Sequence, residues 1–274
     1  MIARDASCGV VTLAALDLRA GPEHQSELTS QLLLGEVVRV RAADARGLWI
    51  RVENESDGYR GWARSWGLVP CGPARAASWI RLACGRVLRA YAEIRTGRGD
   101  GALVSPVYWN GRIIVGSARR GYRRAELPDG RAGWIEASAV LTSRRGIPKL
   151  MDRVRSLLGI PYLWGGRTPM GFDCSGLIQQ IASERGIALP RDAHQQWKAT
   201  RPRPRGATPR LGDLFFFGNP RNRPGHVGLS LGGGYYLHAR GRVRINSIDP
   251  HNTLCDKQLL RQIRAIRRVD WRVR

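Results

Sequence analysis

Gly165-Gly-Arg-Thr-Pro-Met-Gly-Phe-Asp-Cys-Ser-Gly-Leu-Ile-Gln-Gln-Ile-Ala-Ser-Glu-Arg-Gly186 is a glycine-rich loop that runs into an amphipathic segment. Leu177, Ile178, Ile181 and Ala182 recur at the spacing of one buried helical face, and Gly186 is a natural stop. Asp173 stands where a helix N-cap belongs, which puts Cys174 in the first turn. A thiol there meets unpaired backbone N–H groups and the positive end of the helix dipole, which favours thiolate. A single cysteine is ordinarily a buried, inert side chain. Two histidines downstream change that reading.

They lie in Pro224-Gly-His-Val-Gly-Leu-Ser-Leu-Gly-Gly-Gly-Tyr-Tyr-Leu-His-Ala-Arg-Gly241, which predicts a β-hairpin turning at Gly232 to Gly234. Val227, Leu229 and Leu231 alternate with His226, Gly228 and Ser230, so the histidine face is not the apolar face. If Leu231 and Tyr235 close the turn, Gly228 lies opposite His238. His226 and His238 then become diagonal neighbours on one face. That is the arrangement of a base and its orienter: one imidazole takes the thiol proton, the other fixes its ring and tautomer.

The order Asp173-Cys-Ser-Gly176, Gly212-Asp-Leu-Phe-Phe-Phe217, Gly225-His-Val-Gly228, Tyr236-Leu-His-Ala239 resembles the NlpC family of papain-like cysteine peptidases. The string His238-Ala-Arg-Gly-Arg-Val-Arg-Ile-Asn-Ser247 is similar to one subgroup, the γ-D-glutamyl-L-diamino acid endopeptidases, also called dipeptidyl-peptidase VI. The resemblance implies an α+β papain-like catalytic domain with Cys174 as nucleophile, His226 as base and His238 as orienter. It implies that Tyr162 lines the oxyanion region, where a phenol O–H beside a backbone N–H stabilises a tetrahedral intermediate. From the subgroup it further implies that Glu27 and Tyr59 hold the free amine of an N-terminal L-alanine. Asp173 and Ser175 would touch substrate as well as start the helix. Arg191 and Asp192 are candidates for groove or scaffold roles, and Ala193 stands where the family often has Ser or Thr.

Ahead of this region the chain repeats itself. Val11-Thr-Leu-Ala-Ala-Leu-Asp-Leu-Arg19 echoes Val87-Leu-Arg-Ala-Tyr-Ala-Glu-Ile-Arg95, and Asp57-Gly-Tyr-Arg-Gly-Trp62 echoes Asp129-Gly-Arg-Ala-Gly-Trp134. Alternation over Val37 to Arg41 and Trp49 to Val52 predicts strands. Two tandem small β-barrels fit this pattern, and both resemble bacterial SH3-like domains. The expected layout is a first barrel over residues 1–70, a second over 71–144 and the catalytic domain over 145–274, with Arg144-Arg-Gly-Ile-Pro148 as hinge. Within the last domain, Lys149 to Leu158 predicts an amphipathic helix. Thr200 to Pro209 reads as an exposed, structureless connector, and Leu211 to Gly218 as a buried strand. Asn219 to Gly225 is the loop that presents His226, and its Arg221 and Arg223 could meet a substrate carboxylate.

Bulk properties narrow the rest. The chain has 274 residues, 43% hydrophobic, and a formal net charge of +23. No apolar run reaches the ~18 residues of a membrane span. Its arginines are spread along the chain, so no specific nucleic-acid site is indicated. The plain reading is a solvated basic surface, and the sharper one is recruitment to an acidic substrate such as a cell-wall stem peptide. The five cysteines, Cys8, Cys71, Cys84, Cys174 and Cys255, show no CxxC or CxxH pairing, so neither zinc nor a disulfide framework is expected. No cofactor is expected either. With no basic and apolar leader at the N-terminus, the expected location is the cytoplasm, unless a signal has been removed.

The expected activity is cysteine-peptidase hydrolysis of the bond between γ-D-glutamate and meso-diaminopimelate or L-lysine. The substrate is a murein stem peptide with a free N-terminal L-alanine, as in murein recycling. The alternatives are hydrolysis of intact murein, acyl transfer or deamidation on the same scaffold, and non-enzymatic wall binding. Oligomeric state is not indicated.

Overall fold

The computed structural model describes residues 7–143, 146–204, 206–219, 221 and 223–271. It divides into two compact units, Met1–Gly146 and Ile147–Arg274. Arg144 and Arg145 of the expected hinge lie outside the described residues, as do residues 1–6 of the N-terminal segment.

The first unit begins with seven strands: β1 Cys8–Val11, β2 Ala15–Arg19, β3 Leu28–Leu33, β4 Val37–Ala43, β5 Trp49–Asn54, β6 Arg60–Arg64 and β7 Leu68–Cys71. A helix, α1 Pro73–Leu82, follows. Seven more strands complete it: β8 Gly85–Val87, β9 Tyr91–Arg95, β10 Leu103–Tyr108, β11 Arg112–Val115, β12 Tyr122–Glu126, β13 Ala132–Glu136 and β14 Val140–Leu141. The first sheet is ordered β3-β2-β6-β5-β4-β1-β7, and the second β10-β9-β13-β12-β11-β8-β14. Adding seven to each strand number of the first order reproduces the second. The internal repeat is therefore one of topology as well as sequence.

Two expectations need correction. The sheets are open, because β3 and β7, and likewise β10 and β14, are ends without a hydrogen-bonded partner across the gap among the described residues. The last strands are too short to close a barrel: β14 has two residues, and Pro70 in β7 has no N–H to offer a further neighbour. Each sheet still wraps its own apolar core, around Leu18, Leu32 and Val52 in the first and Ile94, Val107 and Ile113 in the second. The other correction is α1, which occupies the start of the stretch expected to be all β. Pro73 sits at its first turn, and Ala76 and Trp79 are buried along one face.

The Trp79 indole N–H donates to the Gly35 carbonyl at 2.9 Å, and the Arg112 N–H donates to the Leu34 carbonyl at 2.8 Å. Leu34 thereby joins the second core. Gly35 is obligatory there: its φ is +79°, and a Cβ would lie 2.0 Å from the Arg112 carbonyl oxygen.

The second unit holds α2 Leu150–Leu157, a short hairpin β15 Arg167–Thr168 and β16 Gly171–Phe172, then α3 Cys174–Glu184 and α4 Ala193–Ala199. After them come β17 Arg201–Pro202, β18 Leu214–Phe217, β19 His226–Gly232, β20 Tyr235–Arg240, β21 Arg242–Ser247, α5 Lys257–Arg261 and β22 Ile263–Arg268. Its sheet is antiparallel, in the order β17-β22-β18-β19-β20-β21, and α3 packs on β19 and β20. Leu214 to Phe217 are fully buried, whereas Leu211 and Leu158 are exposed, so the apolar segments are shorter than the sequence pattern suggests. Arg201 and Pro202 pair with Arg268 and Arg267, giving the supposedly structureless connector an edge strand. Arg205 of that connector lies outside the described residues. A buried ion pair, Arg153 with Glu184, ties α2 to α3.

Candidate active site

The local chain sets the start of α3. Asp173 is its N-cap, accepting the Gly176 N–H at 2.6 Å on Oδ1 and the Gly165 N–H at 3.1 Å on Oδ2. A Cβ on Gly176 would lie 2.3 Å from the Gly166 carbonyl oxygen, so only glycine lets the helix seat against this loop. Beneath the cap, Arg191 grips the same carboxylate with two N–H groups, Nη1 to Oδ1 at 3.0 Å and Nη2 to Oδ2 at 2.5 Å. Arg191 Nη1 also donates to the Ser175 hydroxyl, which donates to Asp173 Oδ1 at 3.2 Å. Arg191 is 1% exposed. Asp173, Ser175 and Arg191 thus form a closed polar network under the nucleophile. Asp192 is the N-cap of α4 in a capping box with Gln195, and Ala193 is buried in that helix's first turn.

Cys174 is buried, with Sγ 4.0 Å from the Gly225 carbonyl oxygen. The Val227 N–H also points at the sulfur. Gly225 and Val227 flank His226, so the thiol is seated against the backbone that carries the imidazole. Pro220 and Asn222 of the loop before His226 lie outside the described residues, and its Arg221 and Arg223 are exposed.

The hairpin puts Leu229 opposite Leu237, with a bulge at the turn where Gly232 meets Tyr235. Its two histidines meet directly, with His226 Nε2 2.9 Å from His238 Nδ1. His238 is fully buried, and its Nε2 lies 2.7 Å from Asn246 Oδ1. Asn246 Nδ2 in turn donates to the Leu254 carbonyl at 2.5 Å. A carbonyl only accepts, so the direction of the whole chain is set. Asn246 presents its oxygen to His238, whose Nε2 must carry the proton. His238 Nδ1 then accepts from His226 Nε2–H, which leaves the lone pair of His226 on Nδ1. Sequence reasoning missed Asn246. The signal was present: Arg240-Gly241-Arg242 turns β20 back on β21, which sets Asn246 opposite Tyr236 and diagonal to His238 on the same face.

Electrostatics overturn the expected thiolate. Burial, and next the Asp173 carboxylate, push the Cys174 thiol up to about 12 against the pull of the Val227 N–H, Arg191 and the Ser175 N–H. Burial, and then His238, Arg240 and Arg244, push His226 down to about 3. Burial takes His238 down to about 4, although its bond to Asn246 favours the charged form. The resting pair is therefore a neutral thiol and a neutral imidazole, and the proton moves as the sulfur attacks. Tyr162, half-buried, is pushed up to about 12 by burial, Cys174 and Asp173, and stays an O–H donor.

Glu27 and Tyr59 belong to the other unit. Glu27 is exposed just before β3, with its carbonyl accepting the Ala20 N–H. Tyr59, between β5 and β6, packs against the first sheet's core. Among the described residues no three His, Cys, Asp or Glu side chains converge on a point that could hold a metal ion.

A family profile described as "NlpC/P60 family" matches residues 159–264, and one described as "Bacterial dipeptidyl-peptidase Sh3 domain" matches residues 18–68. The chain is 28% identical over 234 residues to the gamma-D-glutamyl-L-lysine dipeptidyl-peptidase of Bacillus subtilis (strain 168), covering 81% of this chain and 76% of that protein. It is 26% identical over 266 residues to the protein of the same name from Bacillus cereus (strain ATCC 10987 / NRS 248), covering 87% and 75%. The crystal structure of an NlpC/P60 family protein from Bacillus cereus ATCC 10987 superposes with a TM-score of 0.79 at 22% identity, over 96% of this chain and 99% of that one. That likeness extends the shared fold to nearly the whole chain.

Proposed function

From the premise that this chain carries an NlpC/P60 domain over residues 159–264 behind a bacterial dipeptidyl-peptidase SH3 domain over residues 18–68, we propose that it is a γ-D-glutamyl-L-diamino acid endopeptidase. Its substrate is a murein stem peptide with a free N-terminal L-alanine. The observation that carries this reading is the oriented relay behind the nucleophile, Leu254 to Asn246 to His238 to His226, with the Cys174 thiol seated between the backbone groups that flank His226.

Cys174 attacks the γ-glutamyl carbonyl while His226 Nδ1 takes its proton. The Cys174 N–H, at the helix start where the helix itself offers no acceptor, and the Tyr162 O–H receive the oxyanion. His226 then gives the proton to the departing amine of the diamino acid, and water releases L-Ala-D-Glu from the acyl-enzyme. His238 holds the His226 ring and stabilises its transient charge. Asp173, Ser175 and Arg191 hold the helix start in place. Any direct hold of Asp173, Ser175, Arg191 or Asp192 on substrate is part of the proposal, as is the grip of Glu27 and Tyr59 on the alanine ammonium. The second sheet, with the strand order of the first, is read as a second SH3-like module. Recycling of free peptides in the cytoplasm completes the reading.

Mass spectrometry of products from L-Ala-γ-D-Glu-meso-diaminopimelate beside its N-acetylated twin tests it. Release of L-Ala-D-Glu from the free-amine peptide alone is expected. Equal cleavage of both would replace it with hydrolysis of intact murein.

A further inference from the structure

Beside His226 lies a cavity of about 250 Å³, lined by Tyr162, His226, Ala239, Arg240, Leu259 and Gln262 among others. In the reaction proposed above, His226 hands its proton to the departing amine. The departing amino acid must therefore pass against this ring, which is one wall of the cavity. The cavity is shallow and has room for a single residue, with Ala239 and Leu259 as apolar wall for a methylene chain.

Charge distinguishes the two possible occupants. Arg240 donates from Nη1 to Asp256 Oδ2 at 2.9 Å and from Nη2 to Gln258 Oε1 at 2.9 Å, and its side chain is 42% exposed. A guanidinium has five N–H donors, so others remain for a ligand. Asp256 is shared: Arg244 Nη2 lies 3.2 Å from the same oxygen, while Oδ1 caps α5 through the Gln258 and Leu259 N–H groups. One carboxylate thus faces two guanidiniums. Arg242 stands opposite Arg240 across the hairpin, and α5 adds Lys257 and Arg261. The surplus is positive, and the same arginines help to keep the His226 imidazole neutral.

We propose that this cavity is the leaving-group subsite and that Arg240 makes it select a diamino acid bearing a second, distal carboxylate over lysine. The inference rests on the peptidase reading and specifies its substrate. A lysine side chain would bring a lone ammonium into a cationic wall, whereas the diamino dicarboxylate offsets the same distal ammonium with a carboxylate that a guanidinium can bind in a fork. Selection comes from repulsion of one as well as attraction of the other.

The test is isothermal titration of the full-length Cys174→Ala chain, which binds without turnover, with L-Ala-γ-D-Glu-meso-diaminopimelate and with L-Ala-γ-D-Glu-L-Lys. The diaminopimelate peptide should bind about tenfold or more tightly, the size of one charge-assisted contact. Adding Arg240→Gln should bring the ratio close to one by weakening the diaminopimelate peptide without weakening the lysine peptide, Arg240→Lys should keep part of it, and thermal melts of all variants should match the parent. Equal affinity of the parent for both peptides would overturn the inference while leaving the peptidase reading intact. So would an Arg240→Gln effect equal for both, since Arg240 would then hold a carboxylate that both peptides possess. Failure of both peptides to bind would overturn the peptidase reading and this inference together.

Discussion

His238 donates from Nε2 to Asn246 Oδ1 at 2.7 Å, and because Asn246 must give its amide N–H to the Leu254 carbonyl, that direction cannot reverse. A backbone carbonyl two side chains away thereby decides which nitrogen of His226 carries the lone pair. Asn246 is a positioning residue: it touches neither thiol nor substrate, but it sets the state of the base.

Replacing Asn246 with Ala should lower kcat about 10- to 100-fold with little change in KM, by analogy with other residues that orient a ligand histidine. Nitrogen-15 NMR of the imidazoles should show His238 losing its exclusive Nε2–H form. Unchanged tautomers together with unchanged kcat would contradict the relay.

Two neutral imidazoles, His238 fully buried and His226 half-buried, make stability depend on pH with a definite sign. His226 and His238 titrate in the folded chain at about 3 and about 4, below the ordinary 6.5. The unfolded chain therefore binds more protons below 6.5, so this stability is complete above that pH. It is lost as pH falls toward 4 and then 3, at about 1.4 kcal/mol per pH unit for each histidine. Urea unfolding at pH 7, 6 and 5 should show His238→Gln losing less stability than wild type on acidification. Parallel losses in the two chains would contradict the burial of neutral His238.

Arg191 and Asp173 form a buried, bidentate ion pair directly under Cys174. Removing one partner leaves the other charge uncompensated, at a cost of about 3–5 kcal/mol. Arg191→Met should lower the urea midpoint accordingly and abolish activity, whereas a shift under 1 kcal/mol would show that the pair is not holding the helix start.

The Asp-Cys-Ser-Gly motif carries its last residue for steric reasons. Gly176→Ala puts a methyl 2.3 Å from the Gly166 carbonyl oxygen, so either α3 or the loop must shift. A loss of about 1–3 kcal/mol is expected, together with reduced turnover, read by thermal melting and steady-state kinetics. Wild-type melting and turnover would mean that the loop yields freely.

Much of this was legible in the residues, where local pattern decides the outcome. The alternation around His226 and the three glycines at 232–234 specify a hairpin because a strand has period two and the turn needs positive φ, which all three adopt. The cap at Asp173 and the stop at Gly186 are equally local. Barrel closure is not local. It depends on whether β7 and β14 are long enough to reach a distant edge, and strand propensity does not say. Helix α1 was hidden because Ala76 and Trp79 supply only two buried positions, too few to stand out beside the strands on either side. The charge state of Cys174 was misread because the helix dipole is visible in sequence, whereas burial and the approach of Asp173 emerge only from packing. Asn246 escaped because its partners come from two other segments, His238 on β20 and Leu254 before α5.

The central claim is that Cys174, activated by His226, cuts the γ-glutamyl bond to the diamino acid. L-Ala-γ-D-Glu-meso-diaminopimelate incubated with the wild-type chain and with Cys174→Ala, with products identified by mass spectrometry, tests it most directly. The wild type should release L-Ala-D-Glu and the free diamino acid, and the variant should fold with a near-identical melting curve and release neither. Cleavage by the folded variant at a comparable rate, or wild-type release of free L-alanine instead, would contradict the assignment of the nucleophile in the first case and of the bond in the second.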